Sequence, residues 1–292
     1  DGIVPPGRIV LAVPRRMNTE ALPHFKNIEI VRCGFFLRGF LWEQWTFPIY
    51  AKRIGARTLS LTNTMPFLRP GFACLHDVFY ITHADQFQKT LKGRMSRAWH
   101  TLNYRKITKS AKTIFTVSGY SRRQIAKNLH IDKNTIAMLG NGWEHITRIA
   151  ADDRIFKRHP EIIPGQYYLV LGSRSPYKNI AWVLAAAKNN PDTRWVVAGG
   201  VLTSATDSGS TLPNVVYTGY VAEGEMKSLV ENCLALVHPS LDEGFGIPPL
   251  EALALGRPAI VARASCLPEI YGNAVGYIDH PTDLTCADIT KF

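Results

Sequence analysis

No stretch of about 18 uncharged apolar residues occurs in this chain, which argues against a membrane-spanning helix. Cysteine is scarce and unpatterned: Cys33, Cys74, Cys233, Cys266 and Cys286 are an odd number with no Cys-x-x-Cys among them. That speaks against a disulfide framework or a zinc site, and for small core residues in a reducing compartment. No internal repeat or low-complexity tract is present. No G-x-G-x-x-G follows an apolar run with an acid about twenty residues on, which ranks a nucleotide-dependent oxidoreductase last among the enzyme readings. The chain opens on Asp1 without Met or a signal-peptide pattern, so its natural N-terminus is expected to lie upstream.

Acidic residues are short in the first half. Residues 1–160 hold 26 Lys and Arg against 10 Asp and Glu, whereas residues 161–292 hold 8 against 13. The formal net charge of +11 therefore combines a strongly basic half with a mildly acidic one. Such a split fits two domains with different partners, the basic one facing phosphate, nucleic acid or a membrane surface. No helix-turn-helix, zinc-finger, RNA-recognition or OB pattern supports nucleic acid, so a nucleic-acid-binding module stands as the alternative reading.

What is present is an ordinary globular composition, 46% apolar and 20% charged over 292 residues, with room for two domains. Strand-length apolar runs alternate with helical stretches. Ile9–Val13, Ile28–Cys33, Thr58–Leu61, Phe72–Leu75 and Ile114–Val117 read as strands in the first half. Residues 41–55 and 86–110 read as helices, and Ser121 as the cap of a helix over 122–129. The charged, Pro-containing stretch Asp152–Gly165 reads as an interdomain connector. The pattern then restarts, with strands at 167–171, 195–198, 215–217, 235–238 and 258–261 and helices at 180–188, 223–232 and 248–255. Near-continuous apolar strands alternating with helices predict parallel sheets covered on both faces, hence an α/β protein. The expected division is residues 1–163 and 164–292, two Rossmann-like domains facing each other across a cleft.

The sharpest motif is Pro239-Ser-Leu-Asp-Glu243-Gly244-Phe245-Gly246-Ile247-Pro-Pro-Leu-Glu251. It follows an apolar strand and opens a helix. The glycines allow close approach of a ligand, and the helix N-terminus offers amides and the positive end of a dipole to an anion. A carboxylate beside a phosphate site is costly unless it accepts ligand hydroxyls, so Glu243 and Glu251 point to a polyhydroxylated ligand. The alternative is that both merely decorate a helix N-terminus, where acids are favoured. Upstream, Leu171-Gly172-Ser173-Arg174-Ser-Pro-Tyr-Lys178-Asn179 sets a basic pair after a strand, which unaided also fits a solvated turn. His76 ends an apolar strand, where a structural cap is one reading.

Glu243-x7-Glu251, with Gly-Phe-Gly-Ile-Pro between the two acids and Ala252-Leu-Ala-Leu-Gly-Arg-Pro258 after them, resembles the signature of the retaining glycosyltransferases of family four, group 1, which have the GT-B fold. The Arg174–Lys178 loop, Ala198-Gly-Gly200, Tyr217-Thr-Gly-Tyr220-Val221 and Leu267-Pro-Glu269 match further landmarks. In the first half, Leu75-His76-Asp77, Thr116-Val-Ser118 and Gly140-Asn141-Gly142 sit at family-like spacing. Against the family pattern, the chain is expected to begin near the second strand and to stop before the terminal helix.

The resemblance implies roles by position. Glu251 would accept the ribose hydroxyls of a nucleotide-sugar donor, and Glu243 the sugar hydroxyls. The loop from Gly244 to Ile247 would bind sugar and diphosphate through its amides. Arg174 and Lys178, with Gly172 and Ser173 in the same loop, would hold the diphosphate as negative charge grows on it. His76 would contact the donor sugar near the reacting carbon, and Tyr220 and Val221 would lie beside the base. No general base is implied, no cofactor is required, and no Asp-x-Asp motif is present, so metal independence is expected. The style of the motifs is closest to bacterial enzymes of surface polysaccharide and lipopolysaccharide assembly. That implies a mannosyltransferase using GDP-mannose, with UDP-sugars and dTDP-rhamnose as alternatives, and a glycan or lipid-linked acceptor.

Residues 91–112 carry seven Lys or Arg and no acid, with Met95, Trp99 and Leu102 on one helical face. Two readings stand: a core-facing stripe with a solvated basic back, or a contact with an anionic membrane surface. Phe35-Phe36-Leu37-Arg38-Gly-Phe40-Leu41-Trp42 offers a second such contact or, alternatively, a buried lead-in to a helix. The expected location is cytoplasmic, peripheral on the inner membrane face.

Overall fold

The computed structural model describes residues 9–20, 22, 24–34, 39–172, 175–199 and 212–292. Phe35–Arg38, Ser173, Arg174 and Gly200 of the motifs above lie outside them. The chain forms two compact units. The first comprises Asp1–Thr116 and Arg123–Ala137, the second Val117–Arg122 and Met138–Phe292.

Among its described residues the first unit has two separate sheets. β1 (Ile9–Pro14) and β2 (Ile28–Cys33) pair by themselves, Ile9 opposite Ile28. β3 (Leu59–Ser60), β4 (Phe72–Cys74), β5 (Thr113–Thr116) and β6 (Ile136–Met138) form a second sheet in that order. Its core gathers Met65, Leu75, Tyr104, Ile107, Ile125 and Ile136, all buried. The long basic helix runs Leu91–Ser110, capped by Thr90, whose side chain accepts from the Gly93 amide at 3.0 Å. Asn103, Tyr104 and Ile107 are its buried residues. Met95 and Leu102 are 65% and 51% exposed, which overturns the core-facing reading of the Met95–Trp99–Leu102 stripe. Trp99 instead stacks on Phe67 and tilts against Phe40, both at 5.5 Å between ring centroids.

The second unit is a doubly wound sheet. β7 (Tyr168–Leu171), β8 (Trp195–Ala198), β9 (Val215–Gly219), β10 (Ala235–His238), β11 (Ala259–Ala262) and β12 (Gly276–Ile278) lie in the order β12-β11-β10-β7-β8-β9, every pair parallel. Successive side chains of a strand leave on opposite faces. Val170, Trp195, Val197 and Val237 therefore pack on one face with Trp182 and Ile260. Leu169, Val196, Ala198 and Leu236 pack on the other with Tyr167, Leu229 and Ile155. Two apolar faces on each strand explain why these segments read as unbroken hydrophobic runs. The strand order reverses between β7 and β10, and in such sheets a ligand crevice opens outside the carboxyl ends at that reversal.

Two local expectations change. The helix expected over 122–129 begins at Gly119, and its capping side chain is Ser118, whose Oγ accepts from the Ser121 amide at 3.0 Å. Both serines satisfy the sequence rule for a cap, and the first one serves. The stretch 152–165, expected as an interdomain connector, lies inside the second unit and is packed there. Its helix Arg154–Arg158 pairs Arg158 with buried Glu225 at 2.7 and 3.0 Å, the Asp152 amide donates to Gly224 O at 3.0 Å, and Ile155 and Ile162 are buried. The Arg158 guanidinium, the largest influence on Glu225, holds that carboxyl below its usual range. Four of the five cysteines are buried and one, Cys286, is exposed.

Packing at Ile155 sets the first prediction. Ile155→Ala should cost about 2–5 kcal/mol in urea unfolding, the usual range for a truncated core isoleucine. A loose connector would lose no more than about 0.5 kcal/mol.

Candidate active site

The second unit brings its predicted residues together at the carboxyl ends of β7 and β10. After β7, the Gly172 amide donates to Ala198 O at 2.8 Å. Gly199 follows β8 with φ +106°, and a Cβ there would meet Gly172 O at 3.0 Å, so close approach of the two strand ends requires glycine. A short 3-10 turn, Pro176–Lys178, then presents Lys178. The next residue, Asn179, is buried at φ +55°, and its side chain donates to Pro239 O at 3.2 Å and Pro281 O at 2.7 Å. The Leu241 amide donates to Tyr177 O at 2.7 Å. The lysine turn and the loop after β10 are thereby one hydrogen-bonded piece.

That loop holds the charge of the site. Glu243 Oε1 accepts from Lys178 Nζ at 2.6 Å and from His238 Nε2 at 3.0 Å. His238 closes β10 and is only 3% exposed. Burial pushes the Glu243 carboxyl up, but His238 and Lys178 outweigh it and hold the group down to about 2. The Glu243 amide donates to Ser265 Oγ at 3.2 Å. Asn179 and His238 are partners that sequence reasoning did not assign to Glu243 or its loop. Asn179 had only the αL preference of asparagine to mark it, and His238 was hidden as the last residue of an apolar run.

Gly246 caps the helix Ile247–Ala254 at φ +82°, where a Cβ would also lie 2.6 Å from Leu267 Cδ2. Tyr271 donates its hydroxyl to Gly246 O. Pro248 and Pro249 carry no amide hydrogen, so the first-turn donors are confined to Ile247 and Leu250 beside those of Gly244 and Phe245. Glu251 lies in this helix, 18% exposed in its side chain, and its Oε1 accepts from His145 Nε2 at 2.6 Å. The segment Val117–Arg122 closes the loop from another side. Ser118 Oγ donates to Gly244 O at 2.7 Å, Tyr120 Oη to Asp242 Oδ1 at 2.9 Å, and the amides of Gly119 and Tyr120 to the Glu269 carboxylate. Glu269 and Ser118 thus brace the loop.

The remaining assignments fall unevenly. Tyr220 follows β9 and is 82% exposed, while Val221 beside it is buried and packs in the core with Leu229. The Val221 side chain is committed to packing. Arg174 and Ser173 lie outside the described residues. His76 belongs to the first unit, where it follows β4. Its amide donates to Asn63 Oδ1 at 2.7 Å, and its Nε2 lies 2.8 Å from Leu61 O, which makes Nε2 the protonated nitrogen. Among the described residues, no group of three or more His, Cys, Asp or Glu side chains is arranged to hold a metal ion.

Residues 152–285 match the family model of the glycosyl transferases group 1, a span that contains β7 to β12 and every second-unit residue of the predicted donor site. Over that span the chain is similar to the glycosyl transferases group 1. It is 26% identical over 258 residues to the O-antigen chain mannosyltransferase RfbU of Salmonella typhimurium, covering 83% of this chain and 67% of that protein. It is 29% identical over 222 residues to the O-antigen chain mannosyltransferase B of Escherichia coli, covering 72% of this chain but only 57% of that relative's length. Among solved structures, the glycosyltransferase WaaG, involved in lipopolysaccharide biosynthesis, superposes with a TM-score of 0.61 at 16% identity, over 91% of this chain and 77% of that one. A likeness at that identity bears on fold, and the fold it shows is the α/β architecture of GT-B glycosyltransferases.

The Lys178–Glu243–His238 contact predicts an acid limb. A carboxyl held low stabilises the fold fully above its unfolded pKa of about 4.3 and loses that contribution as pH falls through the folded value, here about 2. Lys178→Ala should raise the Glu243 pKa toward its unfolded value, so that the variant is less stable at pH 7 and loses less stability on acidification than wild type. Urea midpoints from pH 7 to pH 3 read this directly, and superimposable acid limbs would contradict the ion pair.

Proposed function

We propose that the chain transfers mannose from GDP-mannose, with retention of anomeric configuration, to a glycan or lipid-linked oligosaccharide in bacterial surface polysaccharide assembly. The observation that carries the reading is Glu243 with Lys178 and His238 at the reversal of strand order, followed along the chain by the amides of Gly244–Ile247 and by Glu251 in the helix they open. It is the arrangement a nucleoside diphosphate sugar needs: cation and amides for phosphate, carboxylates for hydroxyls. The relatives' mannosyl activity favours mannose over other sugars.

In this reading Glu251 accepts the ribose hydroxyls and Glu243 the sugar hydroxyls. The bond from the anomeric carbon to the β-phosphate oxygen breaks, and its electron pair leaves with the diphosphate. Lys178, Arg174 and the amides from Gly244 to Ile247 stabilise that charge. The acceptor hydroxyl bonds to the anomeric carbon on the same face and gives its proton to the departing diphosphate. No step needs a metal. Lys178 Nζ lies 2.6 Å from Glu243, and in this reading donor binding trades that carboxylate partner for a phosphate and frees Glu243 for hydroxyls.

The acceptor side of the proposal rests on the helix Leu91–Ser110. Arg94, Arg97 and Arg105 line a groove of about 620 Å³ along it, together with Leu102. Arg97 is fixed by a 3.2 Å bond from Nε to Tyr80 O. Guanidinium groups beside exposed Leu91, Met95 and Leu102 fit the headgroup layer of an anionic membrane, where a lipid-linked acceptor resides. No described helix is long and apolar enough to cross a membrane.

Two outcomes follow. With GDP-mannose as donor, Lys178→Ala should lower kcat by about 10²–10³-fold, the usual cost of one group that stabilises a developing oxyanion. A variant within threefold of wild type would contradict the assignment. In sedimentation with vesicles, replacing Arg94, Arg97 and Arg105 together by Gln should abolish the preference for phosphatidylglycerol over phosphatidylcholine. An unchanged preference would remove this helix from the membrane contact.

A further inference from the structure

Glu251 is the carboxylate on which recognition of the donor's ribose rests, and the structure gives it a partner 106 residues away. His145 Nε2 lies 2.6 Å from Glu251 Oε1. A carboxylate only accepts, so Nε2 carries the proton and donates. The pair is built rather than incidental. The helix Glu144–Arg148 that carries His145 buries Ile146 and starts directly after Gly140-Asn141-Gly142-Trp143. Its exit is held where Lys227 Nζ donates to Ile149 O at 2.8 Å, and the following Asp152 amide donates to Gly224 O at 3.0 Å. Both ends of the pair therefore stand on packed elements of one unit, the imidazole half exposed and the carboxylate 18% exposed.

We infer that His145 is a positioning residue for the donor site: its bond to Oε1 fixes the rotamer of Glu251 so that the carboxylate is preset to accept the ribose hydroxyls. This deepens the proposed function and rests on it. Two physical needs converge on it. An unconstrained glutamate has three rotatable bonds, and ordering it on binding costs affinity, whereas a carboxylate already held does not incur that cost again. A carboxylate close to a diphosphate also sits in an unfavourable field, and a donor hydrogen bond to one of its oxygens offsets part of that repulsion. The consequence is specific to hydroxyls. His145 governs how strongly the site prefers a ribonucleotide over one that lacks the 2′- and 3′-hydroxyls, and leaves the phosphate contacts alone.

The experiment is isothermal titration of the whole chain with GDP and with 2′,3′-dideoxy-GDP, and with the two uridine counterparts. Wild type should bind the ribonucleotide about ten- to a hundredfold tighter than the dideoxy form, as expected for hydroxyls accepted by a charged group. His145→Ala should weaken the ribonucleotide about fivefold or more, leave the dideoxy form within twofold, and so compress the preference. His145→Gln, which can place an amide N–H near the position of Nε2, should restore most of it. Equal weakening of both nucleotides in His145→Ala, or an unchanged preference, overturns the positioning role. A wild type that binds neither guanosine nor uridine diphosphate overturns instead the nucleotide-sugar reading beneath it, and the two failures are told apart by the wild-type titration alone.

Discussion

A single carboxylate oxygen organises the site. Glu243 Oε1 takes both the ammonium of Lys178 and the imidazole N–H of His238 in a pocket where the side chain is 12% exposed. Left alone there, a glutamate would be pushed toward its neutral form by burial. Two donors at 2.6 and 3.0 Å reverse that and keep it charged. The surrounding structure serves to bring those donors in. β10 must be buried along its whole length to deliver His238 to its end. The turn Pro176–Lys178 must be latched by Asn179 onto Pro239 and Pro281 to deliver Lys178. The order β10-β7-β8 sets the two strand ends side by side.

The bracing around this oxygen is of the same kind. Gly246 adopts a conformation and a clearance that no other residue satisfies, and Tyr271 holds its carbonyl. Ser118 and Glu269 hold the far side of the loop. These contacts fix a stretch of backbone whose amides lead into a helix that begins Ile-Pro-Pro, where two of the first donors have been deleted. The amide donors at this helix end are thereby confined to a few positions. The loop backbone and the two carboxylates, eight positions apart, stand in a stretch that the packing around them makes rigid.

Much of this was legible in the sequence, for identifiable reasons. Strands of the second unit stood out because both faces are buried, which leaves uninterrupted apolar runs such as Trp195–Ala198. The acids Glu243 and Glu251 stood out because glycines and prolines crowded between two carboxylates suit neither a strand nor a helix interior, only a shaped turn. What escaped was non-local. His145 finds its partner across 106 residues, and Ser118 across 126. His238 was hidden by its own burial. The helix Arg154–Arg158 was hidden by charge, since its polar residues pair with Glu225 and Asp152 instead of facing solvent alone. Periodicity likewise placed Met95 and Leu102 on one face of their helix but could not say which face was covered. Asn103, Tyr104 and Ile107 form the covered face, and the stripe is turned outward.

The central claim, that the Lys178–Glu243–His238 cluster is the donor end of a glycosyltransferase site, is tested most directly by a crystal structure of the chain soaked with GDP-mannose. The account predicts the diphosphate against the amides of Gly244–Ile247, Lys178 Nζ moved from Glu243 onto a phosphate oxygen, Glu251 on the ribose and Glu243 on the sugar. A nucleotide bound elsewhere, with Lys178 still on Glu243, would contradict it.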